Sequence, residues 1–251
     1  MGKQLGIINV RGTVGDLNYV RTEDGYFIRR KSSVTKERMA TDPAYAATRD
    51  HQAEFKRAGA GGKLFRDAVN DTLSNGGDGK LHSRLLKVMM EIIKSDPVSD
   101  RGQKKIILGE LGFLEGFEFN RKTPLKGIFP PQYASAIDRA AGKLSVSIPS
   151  FVPAESLNVG DEATHFKLVS AGCELDFENG KSLTEASESP LIPINNDPVA
   201  AFTLVNIIPP ASTVSLVSVL GIRFFRMMNG KAYRVKSDQF NALRVVQVQM
   251  P

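Results

Sequence analysis

The spacing of hydrophobic and polar positions changes character twice along the chain and divides it into three zones. In the first, residues 17–22 and 26–31 are strand-like and pair across Asp24-Gly25, a dipeptide suited to a type I′ turn. Residues 5–10 read as a further strand. Neither face of the hairpin is cleanly apolar. Tyr19, Arg21, Ile28 and Arg30 share one, and Val20, Phe27, Arg29 and Lys31 share the other. Such a pair cannot lie on a core with one side wet, so residues 1–40 are expected to project as an extended β-hairpin arm.

The second zone, residues 41–115, has helical spacing. Asp42-Pro43 is a start signal, an N-cap followed by proline in the first turn, and predicts a helix over 43–58. Gly59, Gly61 and Gly62 are expected to interrupt it before a second segment, 63–73, that Asn75-Gly76-Gly77 ends. A third helix over 80–95 has the clearest pattern. Leu81, Leu85, Val88, Met89 and Ile92 form its apolar stripe, and Lys80, Arg84, Lys87, Glu91 and Lys94 the opposite face. Pro97 closes it.

In the third zone, residues 116–251, short apolar runs recur between turn signals. Strands are expected at 116–120, 134–138, 143–148, 165–177, 201–208, 214–228, 232–235 and 243–250. Asn179-Gly180 and Asn229-Gly230 mark hairpins, and Pro130-Pro131 and Pro209-Pro210 mark loops. The fold class that follows is α+β, with the arm and a helical segment preceding an antiparallel β-sandwich-like domain.

Charge adds a partition. Residues 1–109 hold 20 Lys and Arg against 13 Asp and Glu, whereas residues 110–251 hold 13 against 14. Residues 150–200 carry nine acids against Lys167 and Lys181 alone, and residues 221–251 carry six basic residues against Asp238. Blocks of alternating sign suit nucleic acid, a complementary protein surface or plain solubility. Cys173 is the only cysteine, which excludes an intramolecular disulfide and a cysteine-based zinc site. No secretory signal or run of ~20 apolar residues is present, so no membrane partner is expected. The protein is expected in the cytoplasm as synthesised, or released within an assembled particle.

Catalytic signals are weak. Residues 58–63 superficially resemble a phosphate loop, but Arg57 stands where the first glycine belongs and Leu64 where Ser or Thr belongs. Ser33-Val34-Thr35-Lys36 matches Ser-x-x-Lys without its companion motifs. Asp161-Glu162-Ala163-Thr164-His165 lacks the first histidine of a zincin helix, and His51 and His82 have no metal spacing. No catalytic residue, cofactor, metal or small-molecule substrate is therefore expected.

Two groups suit partner binding. Tyr26, Phe27, Arg29, Arg30, Lys31, Lys36 and Arg38 put aromatics and cations on the arm. Glu174, Asp176 and Glu178 alternate along one strand opposite Cys173, Leu175 and Phe177, as a solvated face, a calcium site or a surface for a basic partner. The arm could grip nucleic acid, dock on another protein or dock within its own chain. The acidic block supplies a partner in the same gene product.

The segments 12–17, 24–26 and 42–44, Thr48-Arg49, and the segments 54–58, 60–64, 149–154 and 163–172 resemble a family of uncharacterised Bacteroidota proteins. The resemblance covers nearly the whole chain and implies a bacterial origin, with no activity or site residue to carry over. The expected function is that of a non-enzymatic structural protein, a self-assembling homo-oligomeric subunit of a particle, tube or filament with the basic hairpin as inter-subunit arm. The alternative is a nucleic-acid-binding protein using the arm and the basic helix face.

Overall fold

The computed structural model describes residues 2–5, 9–32, 34–73, 77–129, 131–159, 162–235 and 241–251. The chain divides into two compact units, residues 1–50 and 51–251.

The first unit is a four-stranded antiparallel sheet followed by a short helix. Its strands are β1 (Gly2–Lys3), β2 (Gly12–Val14), β3 (Leu17–Thr22) and β4 (Gly25–Arg30), in the order β1-β4-β3-β2. The β3–β4 hairpin forms, but its turn differs from the expected one. Thr22 pairs with Gly25, so the turn residues are Glu23 and Asp24, and neither has positive φ. A type I′ turn needs φ > 0 at both central positions; only Gly25 has it, at φ 120°. The geometry is that of a type I turn closed by a glycine bulge. The register slips by two residues, which keeps the two expected faces. Leu5, Asn9 and Val10 are not in strands, and residues 6–8 of that expected strand lie outside the described residues. Helix α1 (Lys36–Thr41) is N-capped by Thr35, whose hydroxyl accepts from the Arg38 amide. Asp42 then caps a single turn at Pro43–Tyr45, as its sequence signal predicts.

Helix α2 (Ala46–Ala68) continues unbroken through Gly59, Gly61 and Gly62, so the expected interruption does not occur. Glu54, Ala58, Gly61, Gly62 and Phe65 make its buried stripe. A Cβ on Gly61 would stand 2.2 Å from Cδ1 of Ile106, so glycine here permits close packing. After α3 (Asn70–Leu73), helix α4 (Leu81–Lys94) buries Leu81, Leu85, Met89 and Ile92, together with Met90 and Ile93. Residues 75 and 76 of the expected stop signal are outside the described residues.

Past two 3-10 turns, Ile106–Leu108 and Leu111–Leu114, come α5 (Leu125–Ile128), β5 (Ala134–Asp138), β6 (Lys143–Ile148) and α6 (Pro153–Ser156). The remaining strands are β7 (His165–Asp176), β8 (Lys181–Glu188), β9 (Ile192–Pro193), β10 (Phe202–Ile207), β11 (Ser215–Met228), β12 (Lys231–Arg234) and β13 (Ala242–Gln249). The long strands β7 and β11 pair along eleven residues at the centre of a six-stranded antiparallel sheet. β8 and β9 flank β7, while β12 and β13 flank β11. Strands β10-β6-β5 form a second sheet. Residues 116–120 are not a strand; that segment runs along β13 through amide bonds of Gly116 and Phe119 and one bridge at Glu118. Pro130 of the expected Pro130-Pro131 loop is outside the described residues.

The long sheet is covered on both faces. One face (Cys173, Leu175, Val217, Val219 and Val245) packs under Phe65, Leu85, Met89 and Ile92 of the helices. The other (Phe166, Leu168, Leu220, Ile222 and Phe224) packs against Val146, Ile148 and Leu204 of the second sheet and Phe129 near α5. Burial on both faces explains why β11 begins with a nearly continuous apolar run where a one-sided strand would alternate. The expected helical and β regions from residue 51 onward thus share their packing in an α+β fold, with the strands curled into a half-barrel. No helix among the described residues is long and apolar enough to cross a membrane.

Candidate interaction surfaces

The first unit has no buried residue among those described. Its sheet is therefore a sheet without a core of its own. The register places Val14 opposite Leu17, Tyr19 opposite Ile28, Arg21 opposite Tyr26 and Leu17 opposite Arg30. All seven point to one face, because directly paired residues share a side. The guanidinium of Arg21 lies 5.7 Å from the centre of the Tyr26 ring. The opposite face carries Lys3, Asn18, Val20, Phe27 and Arg29. No Asp or Glu stands in any of the four strands; Asp16, Glu23 and Asp24 are confined to the turns.

This divides the arm residues expected from sequence. Tyr26 and Arg30 lie on the first face, and Phe27 and Arg29 on the second. Lys31 follows the strand, its amide donating to the Asp16 carbonyl. Lys36 and Arg38 belong to α1, where Arg38 pairs with Asp42 at 3.2 Å and lies over the Tyr45 ring. The seven do not form one surface. Sequence spacing placed Tyr19, Arg21, Ile28 and Arg30 together correctly, but omitted β2, whose Val14 extends the apolar patch. The Gly15-Asp16 turn was its only local signal.

The acidic group is also divided. Glu174 and Asp176 share a face of β7, opposite Cys173 and Leu175, as alternation requires. Glu178 lies beyond the strand end and pairs with Lys105 at 3.0 Å. The Asp176 carboxylate closes the turn to β8: it accepts from the Asn179 amide and side chain and from the Glu178 amide, which lowers its pKa. Glu188, elsewhere in the acidic block, holds Lys167 at 2.9 Å and Arg223 at 2.6 Å. These carboxylates do not converge: no described group of three or more His, Cys, Asp or Glu could hold a metal ion. Glu174 and Asp176 instead line a groove of about 390 Å³ with Lys181, Leu183 and Thr213.

The basic face of α4 loses one member. Arg84 is turned inward, donating to Asp78 and to the carbonyls of Glu118 and Phe119. Lys80, Lys87 and Lys94 remain, and Lys87 faces Glu91 at 4.0 Å.

Residues 58–63 lie inside α2, with none of the strand-to-helix geometry a phosphate loop requires. His51, His82 and His165 stand on three separate elements, α2, α4 and β7. The zincin-like segment places His165 on a strand, its Nδ1 2.9 Å from the Thr164 hydroxyl, and Asp161 is outside the described residues. So is Ser33 of the Ser-x-x-Lys match. Cys173 is fully buried, and burial pushes its thiol up to about 11. It packs as a small apolar side chain.

Comparison with protein-family models, curated proteins and solved structures finds no match in any of the three.

Proposed function

We propose that this protein is a non-enzymatic assembly subunit whose N-terminal sheet docks on a second copy of the chain. The observation that carries the reading is a four-stranded sheet with no buried residue and a face of Val14, Leu17, Tyr19, Tyr26 and Ile28 flanked by Arg21 and Arg30. Isolated strand ribbons gain too little apolar burial to be stable alone, and tyrosine and arginine concentrate where proteins bind one another. Two such faces stacked on each other would bring their arginines together, which favours a head-to-tail contact with another surface. The groove at Glu174 is the acceptor of suitable sign. A subunit of this kind is made in the cytoplasm and leaves the cell within the finished particle.

Analytical ultracentrifugation and negative-stain microscopy of the whole protein test the reading. The wild type is expected to assemble, and Leu17→Asp with Ile28→Asp to yield folded monomers. Regained assembly on combining Arg30→Glu with Glu174→Arg would identify the acceptor. A wild type that stays monomeric at high concentration would overturn the proposal.

A second reading, single-stranded nucleic acid on the same face, is favoured by the acid-free strands and by Tyr19 and Tyr26 standing diagonally as stacking surfaces between arginines. It predicts affinity that falls steeply with salt and is lost in the Arg21→Ala, Arg30→Ala variant.

A further inference from the structure

Basic side chains gather around a cleft at the start of α4. Asp78, Gly79, Lys80, Arg84, Arg121 and Lys122 line a cavity of about 530 Å³. Arg84 is committed to Asp78, which leaves the exposed side chains of Lys80 and Arg121 as the cations a ligand would meet.

The carboxylate that is present builds the cleft. Asp78 is nearly buried; it accepts from the Lys80 amide at 2.8 Å, the Arg121 amide at 3.0 Å and Arg84 Nη2 at 2.6 Å. Burial alone would raise its pKa, but these donors outweigh burial and hold it low, so it stays ionised. Its contacts pin together two segments some forty residues apart, with Lys80 rooted on one side and Arg121 on the other. Their backbone amides serve Asp78, while both side chains are exposed and make no ion pair among the described residues.

We propose that this cleft binds a phosphate-bearing anion. Its volume lies in the range typical of small-ligand sites, roughly 300–1,000 Å³. Two exposed cations on opposite sides of the cleft suit a phosphate-bearing anion, and lysine with arginine is the donor set that phosphoryl oxygens favour. The cleft lies wholly within the second unit and is independent of the assembly reading. A sequence motif could not reveal it, because Asp78 and Arg121 meet only through the fold.

Titration calorimetry of the full chain with tripolyphosphate tests the assignment, with a single-stranded oligonucleotide as competitor and citrate as a non-phosphate anion. The wild type is expected to bind tripolyphosphate. The Lys80→Ala, Arg121→Ala variant keeps both backbone amides on Asp78, so it should retain its circular dichroism and bind at least roughly tenfold more weakly. Competition by the oligonucleotide would assign the phosphate to a nucleic-acid backbone, and its absence to a small metabolite-like anion. No binding by the wild type, unchanged affinity in the folded variant, or equally tight binding of citrate would each overturn the assignment.

Discussion

Replacing Gly61 by alanine tests how α2 meets the rest of the second unit, because two effects of known size oppose each other there. In a helix interior alanine is favoured over glycine by about 0.8–1 kcal/mol. At Gly59 nothing lies within 4 Å of the new Cβ, so Gly59→Ala should be stabilising by about that amount. At Gly61 the new Cβ would stand 2.2 Å from Ile106 Cδ1 and 3.4 Å from Phe177 Cδ1. Ile106 is itself buried, so its methyl has little room to move, and overpacking of this kind costs about 1–3 kcal/mol. The net expectation for Gly61→Ala is a loss of up to about 2 kcal/mol, against a gain at its neighbour two residues away. Ile106→Val removes the clashing atom. Alone it should cost about 0.5–1.5 kcal/mol, but in the Gly61→Ala background it should cost nothing or restore stability. Urea unfolding of Gly59→Ala and of the four proteins of the Gly61–Ile106 cycle, followed by circular dichroism, measures these effects through midpoint and slope. If Gly61→Ala stabilises as much as Gly59→Ala, or Ile106→Val costs the same in both backgrounds, the close contact is refuted.

Two further outcomes follow from single groups. Burial opposes ionisation of Asp96, but its carboxylate accepts from the amides of Lys105, Val98 and Ser99, which hold its pKa well below the usual range. A depressed folded-state pKa stabilises above the unfolded value and is lost as pH falls through the folded one. Asp96→Asn should therefore destabilise the protein at neutral pH, with the deficit shrinking in urea midpoints taken progressively below about pH 4. The buried Cys173 thiol, pushed up to about 11, should resist a thiol reagent such as DTNB at pH 8 until denaturant is added, whereas rapid native labelling would contradict its burial.

Much of the fold was legible in sequence wherever a periodic signal was strong. Strands β5 and β6 fall at the expected residues, and α4 within one residue at each end. Asn229-Gly230 closes its hairpin with positive φ at both positions, as a type I′ turn demands. Strand β8, Lys-Ser-Leu-Thr-Glu-Ala-Ser-Glu, was missed because an exposed edge strand has no face to bury and so shows no alternation. The glycines of α2 were misread because local propensity counts the cost of glycine and cannot see the Ile106 side chain that requires it.

The sequence by itself determined the α+β class, the sides of β3 and β4, and the inward direction of Cys173, since each depends on a spacing of two or of 3.6 residues along one element. Only the tertiary structure decided which charges are available. It turned Arg84 toward Asp78, gave Asp176 to a turn and Glu178 to Lys105, and raised a cationic cleft between Lys80 and Arg121. The reason is one of range: periodicity reports on neighbours along the chain, whereas a charge is satisfied or left open by groups that only folding brings within a few ångströms.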